Sequence, residues 1–343
     1  MRKLLKTLYV LSPDFHLAYS NENVLILKKD KLIDQFPLLS LESIVSFSNV
    51  SPTVPLMAAC ARQNIPLSFL SVYGTFLCRI CYSERGNVLL RREQYRLADD
   101  EAVCQKYAAA VLKAKFHNSH AVLSRASRDT HSLITKARLA GACEKIRSFE
   151  KNLSEKSSVD SLRGLEGAAS SEYFKHIDSL ITQQKNDFPF DARTTRPPKN
   201  RLNALLSFGY TLLARECEAA LETVGLDACV GFLHKDYVGR KSLSLDLMEE
   251  LRAPLADRFA VTLINQNVIT PAHFMPVEEN GIYLNEEGKR IFIDRWEKKK
   301  LEVLTHPILN EKIPWGLIPF AQAVLLAKSI RGETTEYTGF HWR

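Results

Sequence analysis

The stretch Phe76-Leu77-Cys78-Arg79-Ile80-Cys81-Tyr82-Ser83-Glu84-Arg85-Gly86-Asn87-Val88-Leu89-Leu90-Arg91-Arg92-Glu93-Gln94-Tyr95-Arg96-Leu97 contains a change of period that decides the fold. Its first part, through Tyr82, reads as a strand. From Val88 onward, apolar and charged residues recur at three- and four-residue spacing, the helical signature. The chain therefore changes character near residue 84. Upstream, short β-type runs at Leu8 to Leu11, Phe15 to Tyr19 and Val24 to Lys28 are separated by Ser12-Pro13-Asp14 and Ser20-Asn21-Glu22-Asn23. More lie at Ile44 to Phe47 and Leu67 to Ser71, with one short helix at Thr53 to Gln63. Downstream, helical patterns cover 88–97, 100–126, 131–154, 160–183, 201–224 and 242–266, with a last apolar helix near 315–330. Between them, Lys185 to Asn200 carries Pro189, Pro197 and Pro198 and reads as a basic loop. Gly281 to Asp294 reads as a hairpin turning at Asn285-Glu286-Glu287-Gly288. The expected class is α+β. A small N-terminal β domain of sandwich-like hairpins plus a short helix (residues 1–84) precedes a larger all-α domain (residues 85–343).

At 343 residues the chain is long enough for about two domains. Lys and Arg outnumber Asp and Glu, 46 to 39, which permits a polyanionic partner without requiring one. The longest apolar run, Ile313 to Ile330, is interrupted by Pro314, Pro319 and Gln322, so it reads as a buried helix and no membrane partner is expected. Seven scattered cysteines, an odd number, suggest the reducing cytoplasm. Cys78 and Cys81 alternate faces of one strand, so they read as buried thiols rather than as a shared metal or disulfide site.

Four residues carry the chemistry. Glu166 lies in Leu162-Arg163-Gly164-Leu165-Glu166-Gly167, and His234 ends Gly231-Phe232-Leu233-His234. Asp246 and Glu249 lie in Ser244-Leu245-Asp246-Leu247-Met248-Glu249. Leu243, Leu247, Leu251, Leu255 and Phe259 form a four-residue stripe expected to face the core, with the acids off it. Asp246 and Glu249 are three apart, so their carboxylates are expected on one helix face. Like charges there repel, and a divalent cation reverses the sign. Three carboxylates and one imidazole suit Mg²⁺ or Mn²⁺ better than zinc. Taken singly, each residue has a plainer reading: Glu166 as a solvated helix glutamate, His234 as a capping or core histidine, Asp246 and Glu249 as a surface face with Arg252 as ion-pair partner.

These motifs together resemble the CRISPR-associated spacer-acquisition endonuclease/integrase family, the larger core adaptation protein. The resemblance also rests on Tyr173-Phe174, on Arg196-Pro197-Pro198 leading into Asn203-Ala204-Leu205-Leu206-Ser207-Phe208-Gly209-Tyr210, and on Gly225-Leu226-Asp227. It implies an N-terminal β domain that dimerises and a helical catalytic domain. It implies a homodimer, assembled with a small partner protein into a heterohexamer of two dimers bridged by a partner dimer. The family's metal ligands, a glutamate, a histidine and a second acid, fall on Glu166, His234 and one of Asp246 and Glu249; Glu249 is preferred, with Asp246 supporting it. The implied activity is metal-dependent cutting of DNA by water, or joining of spacer to repeat by a 3′-hydroxyl. A histidine ligand binds only while neutral, so activity is expected to fall at acid pH. Arg163, Arg193, Arg196 and Arg240, with Arg62, Arg85, Lys199 and Arg201 behind them, are the candidate DNA contacts. Two other readings are a non-catalytic nucleic-acid-binding scaffold with the acids as structural ion pairs, and a metallohydrolase of small phosphoesters.

Overall fold

The computed structural model describes residues 6–47, 50–71, 73, 76–80, 87–154, 157–277 and 281–342. Cys81, Arg85 and the expected boundary at 84/85 lie outside the described residues. The first strands are β1 (Lys6–Val10), β2 (His16–Ser20), β3 (Asn23–Lys28), β4 (Lys31–Pro37) and β5 (Leu41–Ser46). Helix α1 (Val54–Gln63), β6 (Leu67–Leu70) and β7 (Phe76–Ile80) complete the N-terminal run. β2, β3 and β4 form an antiparallel meander; β1, β5, β6 and β7 form a second sheet in that order. Hairpins explain only part of it, because β1 with β5 and β5 with β6 pair parallel. Parallel neighbours need a crossover. The meander supplies one and α1 the other. Strand β4 carries no readable alternation, with Leu32 and Ile33 both more than half exposed. Leu8, Val10, Leu17, Val24, Ile44, Leu56 and Leu67 bring both sheets and α1 into one apolar core.

The helical part comprises α2 (Val88–Ala98), α3 (Glu101–Asp129), α4 (Leu133–Lys151), α5 (Val159–Phe174), α6 (Arg201–Val224), α7 (Ser242–Glu249) and α8 (Arg258–Asn265). After β8 (Phe274–Val277) and β9 (Gly281–Leu284) come α9 (Glu286–Leu301), β10 (Val303–Thr305), β11 (Lys312–Pro314) and α10 (Ile318–Ile330). Asp100 caps α3, its carboxylate accepting from the N–H groups of Ala102 and Val103. Helix α3 is the longest of these and packs against α4, α5 and α7.

Three expectations need correction. The helix expected over 160–183 stops at Phe174, and a single 3₁₀ turn, Ile177–Leu180, then buries Ile177 and Leu180. The helix expected over 242–266 breaks into α7, a wide π-type turn over Arg252–Asp257, and α8. Pro254 lies in that turn and has no N–H for a regular ladder. The hairpin expected over Gly281 to Asp294 is a strand leading into α9, because Asn285 caps the helix by accepting from Gly288 N at 2.8 Å. Asn-Glu-Glu-Gly is here a helix start rather than a turn.

Two compact units result. One comprises Met1–Arg85, His273–Met275 and Tyr283–Glu302; the other Gly86–Ala272, Pro276–Ile282 and Val303–Arg343. The expected division, 1–84 and 85–343, was continuous in sequence, whereas these units are not. In the first unit α9 is tied down by Tyr9 Oη donating to Glu297 Oε1 at 3.1 Å, and the Lys300 ammonium lies 3.8 Å from Glu42. Cys78 is exposed on β7, contrary to the buried thiol expected, because β7 lies at the edge of its sheet and pairs, among the described residues, only with β6. Among the described residues no helix is long and apolar enough to cross a membrane.

Candidate active site

Glu166 lies at the middle of α5, and Glu249 ends α7. Tertiary packing brings them to the same ammonium. Lys115 of α3, only 7% exposed, makes a short contact with Glu166 Oε1 and lies 2.7 Å from Glu249 Oε2. Ser170, one turn after Glu166, donates to the same Oε1 at 2.8 Å. Arg252 Nη1 donates to the other oxygen of Glu249 at 2.7 Å, the pairing expected on the plainer reading of these acids. The surface setting in that reading does not hold: Glu249 is 3% and Asp246 2% exposed. The whole leucine stripe is buried too, so α7 is covered on more than one face.

Burial by itself would raise the Glu249 carboxyl. The Arg252 guanidinium and the Lys115 ammonium overcome that, with His234 adding to them, and hold it at about 2. His234 is thus within electrostatic reach of Glu249. Its own anchor is Asp246, whose Oδ1 lies 2.6 Å from His234 Nδ1. Asp246 also accepts from the main-chain N–H groups of Phe232 (2.7 Å), Leu233 (3.0 Å) and His234 (3.0 Å). One buried carboxylate therefore shapes the whole Gly231–His234 turn. Gly231 permits it: a Cβ there would stand 2.8 Å from Asp246 Oδ2 and 2.9 Å from the Ser242 main chain. Upstream, Gln94 of α2 donates to the carbonyls of Asp227 and Val230 and accepts from Asp227 N, pinning the approach to the turn. Phe232 stacks on Tyr107 at 4.3 Å.

Asp246 and Glu249 therefore do not act as one carboxylate pair. The first faces the histidine turn, the second Lys115 and Arg252. Among the described residues no three His, Cys, Asp or Glu side chains stand gathered for a metal ion. The donor chemistry nonetheless fits one. Glu249 Oε2 is buried and accepts no aligned hydrogen bond, although Lys115 Nζ compensates its charge. His234 Nδ1 is held by a carboxylate, the arrangement that leaves Nε2 as a lone-pair donor.

The four favoured arginines divide. Arg163 donates through Nη1 to Leu233 O at 2.8 Å and through Nη2 to Asp160, so it buttresses the turn carrying His234. Arg193 donates to Asn203 Oδ1 and Ser207 Oγ, each at 3.0 Å, and lies 5.3 Å from the Tyr210 ring. It pins the 185–200 loop to α6. Arg196 is exposed and Arg240 half-buried.

Lys115 and Asp257 escaped sequence reasoning. Lys115 interrupts the apolar stripe of α3, and a lysine on a core face was the available signal. Asp257 accepts from Tyr210 Oη at 2.5 Å; burial pushes its carboxyl up to about 6, against the pull of Tyr210 and Arg252.

Comparison with known proteins supplies an independent result. The family model described as CRISPR associated protein Cas1 matches residues 8–298. A CRISPR-associated endonuclease Cas1 of Chlorobaculum tepidum is 37% identical over 343 residues, 100% of both chains. A solved casposase bound to integration product aligns with TM-score 0.84 and 20% identity, covering 97% of this chain and 93% of that one. A Cas6-RT-Cas1–Cas2 complex aligns with TM-score 0.83 and 21% identity, covering 100% of this chain and 36% of the other.

Proposed function

This chain belongs to the Cas1 family, and from that premise we propose that it is a Mg²⁺- or Mn²⁺-dependent DNA endonuclease and integrase of CRISPR adaptation. The observation that carries the reading is an imidazole oriented by a buried carboxylate, within electrostatic reach of a second buried carboxylate that shares a cation with a third. Glu166, His234 and Glu249 would hold the ion. Asp246 is assigned the supporting role because its two oxygens already accept four hydrogen bonds. When bound, the ion supplies Lewis-acid polarisation of phosphate oxygens. Asp246 keeps the His234 proton on Nδ1 and so presents Nε2. Arg163 holds the turn in place through the Leu233 carbonyl. Arg196 and Arg240 are the cations left for phosphate. Attack by water on a phosphodiester breaks one P–O bond and cuts the strand. Attack by a DNA 3′-hydroxyl forms a new P–O bond to the repeat while the repeat strand's own bridging P–O bond breaks and its oxygen leaves as a 3′-hydroxyl, joining a captured fragment to the repeat.

The fold shared with a casposase bound to integration product accords with strand joining, and the fold shared with a Cas6-RT-Cas1–Cas2 complex accords with a partner protein; a heterohexamer with a small partner is the assembly proposed for this chain. Leu32, Ile33, Leu39, Val54, Phe76 and Leu77 are exposed apolar residues of the N-terminal unit, which favours a homodimer through it.

Glu166→Ala and His234→Ala should each remove Mn²⁺-dependent cutting and joining of a branched DNA while leaving the circular dichroism spectrum intact. Full activity in both folded variants would sink the assignment. The scaffold reading has one observation in its favour, the ion pairs that Glu249 makes with Lys115 and Arg252. It predicts salt-sensitive DNA binding that chelators leave untouched, with no strand chemistry.

A further inference from the structure

Lys115 stands inside the candidate site, yet the reaction above makes no use of it. Its side chain is 8% exposed and rises from a helix otherwise buried through Ala108, Val111, Leu112, Phe116 and Ser119. Burying an ammonium is costly unless it is paired. Here it is paired twice, with Glu166 from α5 and Glu249 from α7. Those two carboxylates belong to separate helices, and without a cation between them their mutual repulsion in a poorly solvated site would drive them apart. The ammonium supplies the attraction that a divalent ion would supply, at the same two acids.

We propose that Lys115 is a resident counter-ion: it holds Glu166 and Glu249 together in the metal-free protein and is displaced when a divalent cation binds. It is a positioning residue that sets metal affinity by competing for two of the ligands. This rests on the metal reading of the site given above. Linkage then gives the ammonium two effects. Removing it destabilises the metal-free fold, because Glu166 loses its ammonium partner and faces Glu249, which keeps only Arg252. Removing it also tightens metal binding, because no ion pair has to be broken first. A lysine that merely braced the fold would produce the first effect without the second.

The test compares wild type, Lys115→Met and Lys115→Arg. Mn²⁺ binding is followed by the loss of the free-ion electron paramagnetic resonance signal, and thermal unfolding is followed in chelator and in Mn²⁺. Lys115→Met should melt lower in chelator, bind Mn²⁺ roughly tenfold or more tightly than wild type, and show the larger Mn²⁺-induced rise in Tm. Lys115→Arg keeps the charge and should bind Mn²⁺ close to wild type. If Lys115→Met folds only when Mn²⁺ is added, that rescue is the same result in stronger form. Equal or weaker binding by Lys115→Met, or failure of Mn²⁺ to restore its fold, overturns the counter-ion role while leaving wild-type metal binding in place. Absence of Mn²⁺ binding in wild type overturns the metal reading itself, and this proposal with it.

Discussion

The carboxylate of Asp246 accepts from three successive main-chain N–H groups and from one imidazole nitrogen, so its loss would act on the backbone and on His234 at once. Asp246→Asn keeps the shape but turns one acceptor into a donor facing an N–H group. Metal affinity and strand cutting should each fall roughly 10- to 100-fold, the usual effect of losing a partner behind a ligand, with the protein still folded. Calorimetric titration with Mn²⁺ beside a nicking assay checks both, and unchanged affinity would return Asp246 to a purely structural role. Gly231→Ala places a methyl 2.8 Å from the same carboxylate and should cost about 1–3 kcal/mol, read as a shift in the denaturation midpoint. Glu166, His234, Asp246 and Glu249 were singled out as candidates by their local motifs, and the structure shows which partner each one meets. Lys115 was not singled out, because no motif surrounds it and its significance depends on what α5 and α7 bring to it.

At the scale of elements, α9 shows how far a local pattern can mislead. Asn285-Glu286-Glu287-Gly288 suits a turn by composition, and the same asparagine and acids suit a helix N-terminus. The residues downstream decide between the two: Phe292, Ile293 and Trp296 are buried at helical spacing. Asn285→Ala should lower stability by about 1 kcal/mol through loss of the bond to Gly288 N, and chemical denaturation measures it. A strand turn at this place would lose nothing comparable. The parallel pairs of the four-stranded sheet were equally out of reach. Alternation and turn residues reveal strands, but the partner of a strand is chosen by residues far away in the chain.

For the whole molecule, the carboxylate of Glu250 ties the C-terminal tail to the helical core. It accepts from Tyr337 Oη at 2.6 Å, Phe340 N at 2.7 Å and Gln322 Nε2 at 2.9 Å. Burial pushes its carboxyl up to about 7, against the pull of these three donors. The group is an acid whose folded value lies above its unfolded one. The folded chain therefore keeps its proton longer, and stability falls as pH rises from about 4.5 to about 7. The loss amounts to about 3 kcal/mol. Glu250→Gln should flatten that slope in denaturant midpoints taken across this range. Glu249 works in the opposite sense: its contribution is complete above about 4.5 and is lost as pH falls toward about 2. From sequence alone came the change from strands to helices near residue 84, the family, and the choice of Glu166, His234, Asp246 and Glu249 as candidates, because periodicity and motif are properties of neighbouring residues. The tertiary structure alone decided that one ammonium stands between Glu166 and Glu249, that Asp246 serves the histidine turn, and that residues 283–302 return to the first unit. Each of those depends on which distant surfaces bury one another, and burial is settled only when the whole chain has packed.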